Sequence, residues 1–337
     1  MEAWFYETLD NQKVRCRLCS HECVIVSGKR GICNVRENRD GTLVTHVYGR
    51  LIAAGDDPVE KKPLFHLLPG SRSFSIATVG CNFKCRFCQN ADIAQMPSDR
   101  DGMVTGDLYT PDQVVDAARD RGCASIAYTY TEPTVFFEFA CDTARLGHQQ
   151  GLKNILVTNG YMSTEALERI SPWLDAANVD LKAFSDDFYR QQCGARLEPV
   201  QQTLRQMKKL NIWVEVTTLV IPGLNDDPDE LARLAAFIAD DLGPETPWHV
   251  SRFHPTYRLT DRQATSTQTI VQARQIGISA GLKYVYTGNI PGMGGEETLC
   301  PGCNETVIAR HGFRIADYRI QNGRCRNCAT VIEGVGM

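Results

Sequence analysis

Long hydrophobic runs are missing from this chain. Across its 337 residues no apolar stretch reaches the length of a bilayer span, so the sequence gives no reason to expect a membrane protein. A basic leader is missing as well. The opening residues Met1-Glu2-Ala3-Trp4-Phe5-Tyr6-Glu7 carry acids where a signal peptide needs positive charge. Excess positive charge is lacking too: the formal net charge is −4, which argues against bulk attraction to nucleic acid and leaves room for a local basic patch only. No glycine fingerprint of the dinucleotide-binding type follows any candidate strand. Overall composition, 43% hydrophobic and 23% charged, is that of an ordinary globular protein.

Cysteine is what the chain has in quantity. Fourteen of them without an export leader point to metal or cluster chemistry in a reducing compartment, and the expected location is the cytoplasm. They sort by position. Cys16, Cys19, Cys23 and Cys33 lie near the start, and Cys300, Cys303, Cys325 and Cys328 near the end. Between them stand Cys81, Cys85 and Cys88, in Gly80-Cys81-Asn82-Phe83-Lys84-Cys85-Arg86-Phe87-Cys88-Gln89-Asn90. Cys123, Cys141 and Cys193 are left over in apolar or helical contexts, where buried thiols are expected. A cubane [4Fe–4S] cluster normally takes four thiolates. Three on one loop with no fourth nearby leave one iron open, whereas a zinc knuckle would want a fourth ligand close by.

The middle of the chain alternates short apolar segments with amphipathic ones. Strands are expected at 73–80, 123–130, 154–160, 177–183, 213–220 and 248–254, with a possible seventh at 283–289. Helices are expected at 111–121, 135–149, 164–174, 200–210, 229–241 and 267–280. Repeated strand–helix units imply an α/β fold with a parallel sheet and right-handed crossovers. Without a nucleotide fingerprint, a barrel or partial barrel is favoured over a doubly wound sheet. The expected division is 1–69 as an N-terminal cysteine module and lead-in, 70–295 as the barrel and 296–337 as a C-terminal module.

Nearly every expected strand ends in a polar cluster, and strand C-termini are where such folds build their sites. Glu132 follows Tyr128 and Tyr130 on one strand face by alternation; it serves either a ligand or the positive end of the next helix. Thr158-Asn159-Gly160 reads as a turn or as part of the site. Asp180 and Lys182 share a face, as an internal ion pair, a ligand-binding pair or both. Arg252 and His254 share another, with His249 on the opposite parity, packed or exposed. Lys61, Lys62 and His66 either line the mouth or form a solvated charged loop.

The C-x3-C-x-aromatic-C spacing of Cys81, Cys85 and Cys88 resembles the signature of radical S-adenosylmethionine (SAM) enzymes. The resemblance implies a [4Fe–4S] cluster whose open iron chelates SAM, and reductive cleavage of SAM to a 5′-deoxyadenosyl radical. Tyr130-Thr131-Glu132-Pro133 looks like a divergent form of the Gly-Gly-Glu element that receives the SAM ammonium in that superfamily. A wider set resembles the pyruvate formate-lyase activating enzymes: Gly80-Cys81, Asn90, Glu132-Pro133, Thr158-Asn159-Gly160, Asp180-Leu181-Lys182, Ile221-Pro222-Gly223 and Phe253-His254. That likeness implies a partial (βα)6 TIM-like barrel. It also implies catalytic roles beside SAM for Asp180, Lys182 and His254, and cofactor contacts that add Glu132, Thr158 and Asn159. The ends depart from true activases, lacking their glycine-rich start and tandem ferredoxin-type cysteine runs. Over almost the whole length the chain resembles the radical SAM member of the AmmeMemoRadiSam system. The residues that carry this are Cys16-Arg17-Leu18-Cys19 with Cys23, Gly31-Ile32-Cys33-Asn34-Val35-Arg36, Glu60-Lys61-Lys62-Pro63-Leu64-Phe65-His66, Cys88-Gln89-Asn90 and Ser251-Arg252-Phe253-His254-Pro255, with Thr287-Gly288-Asn289 and the paired Cys-x2-Cys motifs after them. The implied partners are AMMECR-type and Memo-type proteins.

The paired Cys-x2-Cys motifs at Cys300/Cys303 and Cys325/Cys328 flank an expected hairpin, with Gln321-Asn322-Gly323 as a turn near the second pair. They read as a zinc ribbon, whose metal would supply folding free energy on the order of 10 kcal/mol; an iron site or auxiliary cluster is the alternative. The N-terminal C-x2-C-x3-C-x9-C suits zinc or a cluster, with zinc favoured because the spacing is not the bacterial ferredoxin run, and with His21 as an alternative ligand. The expected activity is hydrogen abstraction from a substrate after one-electron reduction by an external flavodoxin- or ferredoxin-type donor. The competing readings are a glycyl-radical activase, an RNA-modifying enzyme that grips through its ribbon, and a non-catalytic electron carrier or scaffold.

Overall fold

A computed structural model describes residues 1–290 and 292–337. Seven apolar segments form parallel strands because both of their faces are covered. They are β2 (Arg72–Ala77), β3 (Ser125–Tyr128), β4 (Lys153–Thr158), β5 (Ala176–Asp180), β6 (Trp213–Val220), β7 (Trp248–Arg252) and β8 (Val285–Gly288). The preceding β1 (Ala53–Pro58) pairs antiparallel with β2. Spatial order follows chain order from β1 to β8, and the two edge strands are not paired with each other, so the sheet is open. The α/β class with a parallel sheet is as expected. Two strands exceed the six of the implied barrel: the seventh parallel strand β8, and β1, which lies in the lead-in.

Helices α1 (Pro111–Asp120), α2 (Phe137–Gln149), α3 (Thr164–Ile170), α4 (Leu197–Lys209), α5 (Pro228–Phe237) and α6 (Thr267–Ser279) fill the crossovers. Their starts are written locally. Thr110 and Gln113 cap α1 reciprocally, with Pro111 at its first position. Ser163, Asp227 and Ser266 accept from the first-turn amides of α3, α5 and α6. Ile126, Tyr128, Leu156, Val179, Val216 and Val250 join the helices in the main core. Alternate residues face the other way. There Ala127, Ile155 and Ala176 pack on Val59, Leu64 and Leu67 from the connection between β1 and β2.

That connection crosses the inner face of the sheet. The Lys62 ammonium donates to Asp57 at 2.6 Å, and Asn178 Nδ2 donates to the Pro63 carbonyl at 2.7 Å. The Phe65 and His66 amides donate to Glu215 at 3.0 and 2.8 Å, and His66 Nε2 meets the Tyr286 hydroxyl at 2.6 Å. The segment therefore touches β1, β5, β6 and β8 in turn. This corrects both expectations for two of its members: Lys62 and His66 are neither mouth residues nor solvated, being 1% and 0% exposed. Only Lys61 is exposed, and it holds Asp57 from outside. Burial works against the Glu215 carboxylate, but the His249 hydrogen bond and the neighbouring imidazoles bring it below its usual range.

The N-terminal region adds a three-stranded sheet (Tyr6–Thr8, Val14–Cys16, Val24–Ile25) and a hairpin (Arg36–Arg39, Thr42–Thr45). Both join the main core through Val14, Ile25, Val35 and Leu43. The C-terminal region is a three-stranded sheet (Thr298–Leu299, Thr306–His311, Arg314–Tyr318) followed by the small hairpin Ile320–Gln321/Arg324–Cys325. Asn322 and Gly323 turn it with φ of 51° and 70°, the left-handed pair a two-residue hairpin requires. Buried Arg310 ties this region to the crossing segment through the Phe65 carbonyl at 2.8 Å. Among the described residues no helix is long and apolar enough to cross a membrane.

Candidate active site and metal centres

The cysteine loop leaves β2 through Gly80, whose φ is 103°. A Cβ there would meet Val35 Cγ1 at 2.7 Å, so only glycine lets the loop close on the N-terminal region. Two buried aromatics anchor the loop. Phe83 packs on Tyr161 and Phe87 on Phe188, with centroids 5.1 and 5.8 Å apart. Amides of Lys84 and Arg86 donate to the carbonyls of Cys193 and Gln192 at 2.7 and 3.0 Å. Cys85 is buried, while Cys81 and Cys88 are half-buried. Burial pushes the Cys81 and Cys88 thiols up, the latter to about 11. Cys85 is raised first by its hydrogen bond to the Cys193 thiol and then by burial. Thiols held neutral in this way ionise when a cation compensates them, which suits metal ligands.

The ends of β3 and β4 meet beside this loop. Glu132 is buried, and its Oε1 accepts from the Thr134 amide at 3.0 Å, the Thr134 hydroxyl at 2.5 Å and the Thr158 hydroxyl at 2.7 Å. Its Oε2 accepts from the Asn159 amide at 2.8 Å. Burial raises this carboxyl, and those hydrogen bonds oppose the rise. Asn159 Nδ2 then donates to Asn82 Oδ1 at 2.8 Å and lies 3.8 Å from Cys81 Sγ. Glu132, Thr158, Asn159 and Cys81 are thus one hydrogen-bonded chain.

The expected common face for Tyr128, Tyr130 and Glu132 is not observed. Tyr130 has a φ of 62°, which ends the strand alternation. Tyr128 bonds Asn154 among the helices, whereas the Tyr130 hydroxyl turns inward to Asp57 and Lys62. Asn90, just past Cys88, fixes this turn by donating to the Tyr130 carbonyl at 2.8 Å.

Asp180 and Lys182 do pair, at 2.8 Å, and the pair is partly open. Burial pulls the Lys182 ammonium down, but Asp180 and the thiols of Cys85 and Cys193 outweigh it and raise it above its usual value. His254, past the end of β7, is exposed, and among the described residues no hydrogen bond joins it to the pair. His249 is packed, bonded to Glu215 at 2.7 Å. An open cleft of about 570 Å3 lies between the cysteine loop and the start of β1, lined among others by Ile52, Ala54, Asn90, Asp92, Asp107 and Tyr130.

Three residues the sequence did not single out matter here. Cys193 touches Cys85; isolated in a helical stretch, it carried no signal. Asn82 and Gln192 carry a buried Nδ2 and a buried Oε1 without partners. Only Asn82 was findable, because it lies inside the cysteine motif. Three closely tethered thiols, the unpaired Asn82 Nδ2 donor and the buried aromatic anchors Phe83 and Phe87 fit an anionic cluster held at this loop.

Residues 75–235 match the family model of the radical SAM superfamily. The chain carries a radical SAM domain. It also belongs to one family with the uncharacterized protein MJ0808 of Methanocaldococcus jannaschii, to which it is 45% identical over 98% of both chains. The pyruvate formate-lyase-activating enzyme of Clostridium pasteurianum is a distant relative, 23% identical over 58% of this chain and 85% of its own. In fold, the radical SAM domain is similar to a radical SAM methyltransferase from Sphaerobacter thermophilus, with a TM-score of 0.51 and 16% identity, over 65% of this chain and 66% of that one. A radical SAM fold implies SAM and a [4Fe–4S] cluster.

The two terminal cysteine groups differ in geometry. Cys300, Cys303, Cys325 and Cys328 bring their sulfurs within 4.8 Å of one another, with Cys300–Cys328 at 3.5 Å and Cys303–Cys325 at 3.8 Å. No three sulfurs of Cys16, Cys19, Cys23 and Cys33 approach that closely.

Proposed function

We propose that the chain is a radical SAM enzyme in which Cys81, Cys85 and Cys88 hold a [4Fe–4S] cluster with one iron left for SAM. The observation that carries this reading is the chain of hydrogen bonds that runs from Glu132 through Asn159 to Cys81, and so ties the strand ends to the thiol loop. Bound there, the cluster and SAM together supply a 5′-deoxyadenosyl radical that abstracts hydrogen from a substrate. The protein's own part is positioning and exclusion. Asn159 stands beside the loop, held by Glu132. Lys182 and Asp180 offer opposite charges on the rim for the carboxylate and ribose of SAM, and His254 is free to reach it from outside. The cleft along Asn90 and Tyr130 receives the substrate next to the cysteine loop. A flavodoxin- or ferredoxin-type donor supplies the electron.

The wider assignment is to the AmmeMemoRadiSam system, with AMMECR-type and Memo-type partners. It rests on the terminal motifs, which the activating enzymes lack. For the C-terminal thiols we take the occupant to be a single tetrahedral ion, zinc in this reading, since such an ion with 2.3 Å bonds spaces its sulfurs about 3.8 Å apart and a cubane does not.

Anaerobically reconstituted protein given dithionite and SAM should release 5′-deoxyadenosine, and SAM should shift the electron paramagnetic resonance (EPR) signal of the reduced cluster. Cys193→Ala should keep both. Loss of the cluster in that variant would make Cys193 a fourth ligand, and absence of 5′-deoxyadenosine from the intact protein would end the enzymatic reading.

A further inference from the structure

We propose that Cys16, Cys19, Cys23 and Cys33 hold a second iron–sulfur cluster, which passes an electron to the cluster on Cys81, Cys85 and Cys88. The relay role rests on the function proposed above; the occupancy does not.

The first support is spacing. One tetrahedral zinc ion draws four sulfurs to about 3.8 Å from one another, and the C-terminal thiols show that spacing. The N-terminal four do not. Instead they line a single cavity together with Leu18, Ile25 and Val135. Cys81, Cys85 and Cys88 likewise do not all gather within 4.8 Å of one another. A cubane several ångströms across demands such wide spacing, and a single ion does not allow it.

A second support is independent of the thiols. Arg36 lines the same cavity and is 1% exposed. Its Nη2 is committed to Glu138 at 2.6 and 2.7 Å and its Nη1 to the Trp4 carbonyl at 3.1 Å. Its Nε has no partner. A buried N–H without an acceptor costs about 1–3 kcal/mol, and the sulfurs of an anionic cluster would accept from it. Asn82 also lines the cavity with its Nδ2 unpaired.

Asn82 is also the shared wall. It follows Cys81 directly, receives Asn159 on its Oδ1, and its carbonyl meets His21 Nε2 at 2.8 Å. His21 in turn lies on the cavity side. One residue thus separates the two thiol sets. The step is a one-electron transfer without bond changes. A reduced ferredoxin- or flavodoxin-type donor is oxidised by one electron, the second cluster is reduced and then reoxidised, and the cluster at the cysteine loop is reduced.

Iron, sulfide and zinc should be measured on anaerobically reconstituted protein and on the triple variant Cys81→Ala, Cys85→Ala, Cys88→Ala. The intact protein should carry about eight irons, and the triple variant about four, with an EPR signal that ignores SAM. A triple variant with zinc and no iron overturns the second cluster while leaving the radical SAM reading intact. Intact protein with about four irons, all kept by the triple variant, does the reverse. Cys23→Ala/Cys33→Ala should retain only the SAM-responsive signal, and its reduction by flavodoxin should slow at least tenfold while dithionite still reduces it. Unchanged flavodoxin kinetics overturn the relay.

Discussion

Glu132 shows how a residue found by pattern can hold contacts that the pattern does not disclose. Its likeness to the Gly-Gly-Glu element marked it as a contact for SAM, and in the structure four hydrogen bonds hold its two oxygens. A carboxylate offers about four lone-pair sites, and Oε1 alone accepts three of those bonds. One of the four bonds holds Asn159 through its amide. Replacing it with alanine should leave the buried Asn159 and Thr134 amides unpaired, at about 1–3 kcal/mol each. Urea denaturation should show the loss, and equilibrium dialysis should show SAM affinity reduced at least tenfold. Unchanged affinity in folded Glu132→Ala protein would separate this carboxylate from the site. The strand alternation that joined it to Tyr130 failed because Tyr130 takes a left-handed φ of 62°, which a non-glycine residue does not announce in the sequence.

At the scale of elements, expected strands overran their observed C-terminal ends. Segments expected to reach residues 80, 130, 160 and 183 stop at Ala77, Tyr128, Thr158 and Asp180. In each case the polar tail leaves the ladder to build the site, and propensity cannot mark where pairing stops. The helix starts were better marked, since Thr110, Ser163, Asp227 and Ser266 cap through bonds to residues three positions away. Gly80 joins two elements: it turns β2 into the cysteine loop while pressing on Val35 of the N-terminal region. Gly80→Ala adds a Cβ 2.7 Å from Val35 Cγ1 at a φ of 103°. It should cost about 1–3 kcal/mol of stability. It should also lower the iron retained per chain, because the loop's anchor shifts. Circular dichroism melts and iron analysis check the two effects separately.

For the molecule as a whole, the crossing segment is the part that pattern did not disclose. His66 is buried between Glu215, Tyr286 and the Glu333 carbonyl, with Tyr284 and Arg310 nearby, and its pKa falls from 6.5 to about 4, chiefly through burial. Its neutral form is the one the fold accepts. The stabilisation this gives is complete above pH 6.5 and is lost as pH falls through about 4, an effect of about 3 kcal/mol. Glu215 and Glu333 are also depressed and act in the same direction. The comparison of intact protein with His66→Gln therefore isolates the imidazole. Between pH 6.5 and 4 the variant's urea midpoint should fall less steeply. Equal slopes would remove His66 from the acid limb.

Periodicity and spacing are local properties, and by themselves they determined the α/β class, the parallel sheet, the three-thiol loop and the C-terminal hairpin with its paired cysteines. Each can be stated from residues within a turn, a strand or a short motif of one another. Tertiary structure alone decided that Lys62 and His66 lie under the sheet, that Cys193 stands against Cys85, and that Arg36 lines a cavity with four thiols. Those facts depend on contacts between residues far apart in the chain, where burial and hydrogen-bond saturation, not sequence period, fix which groups meet.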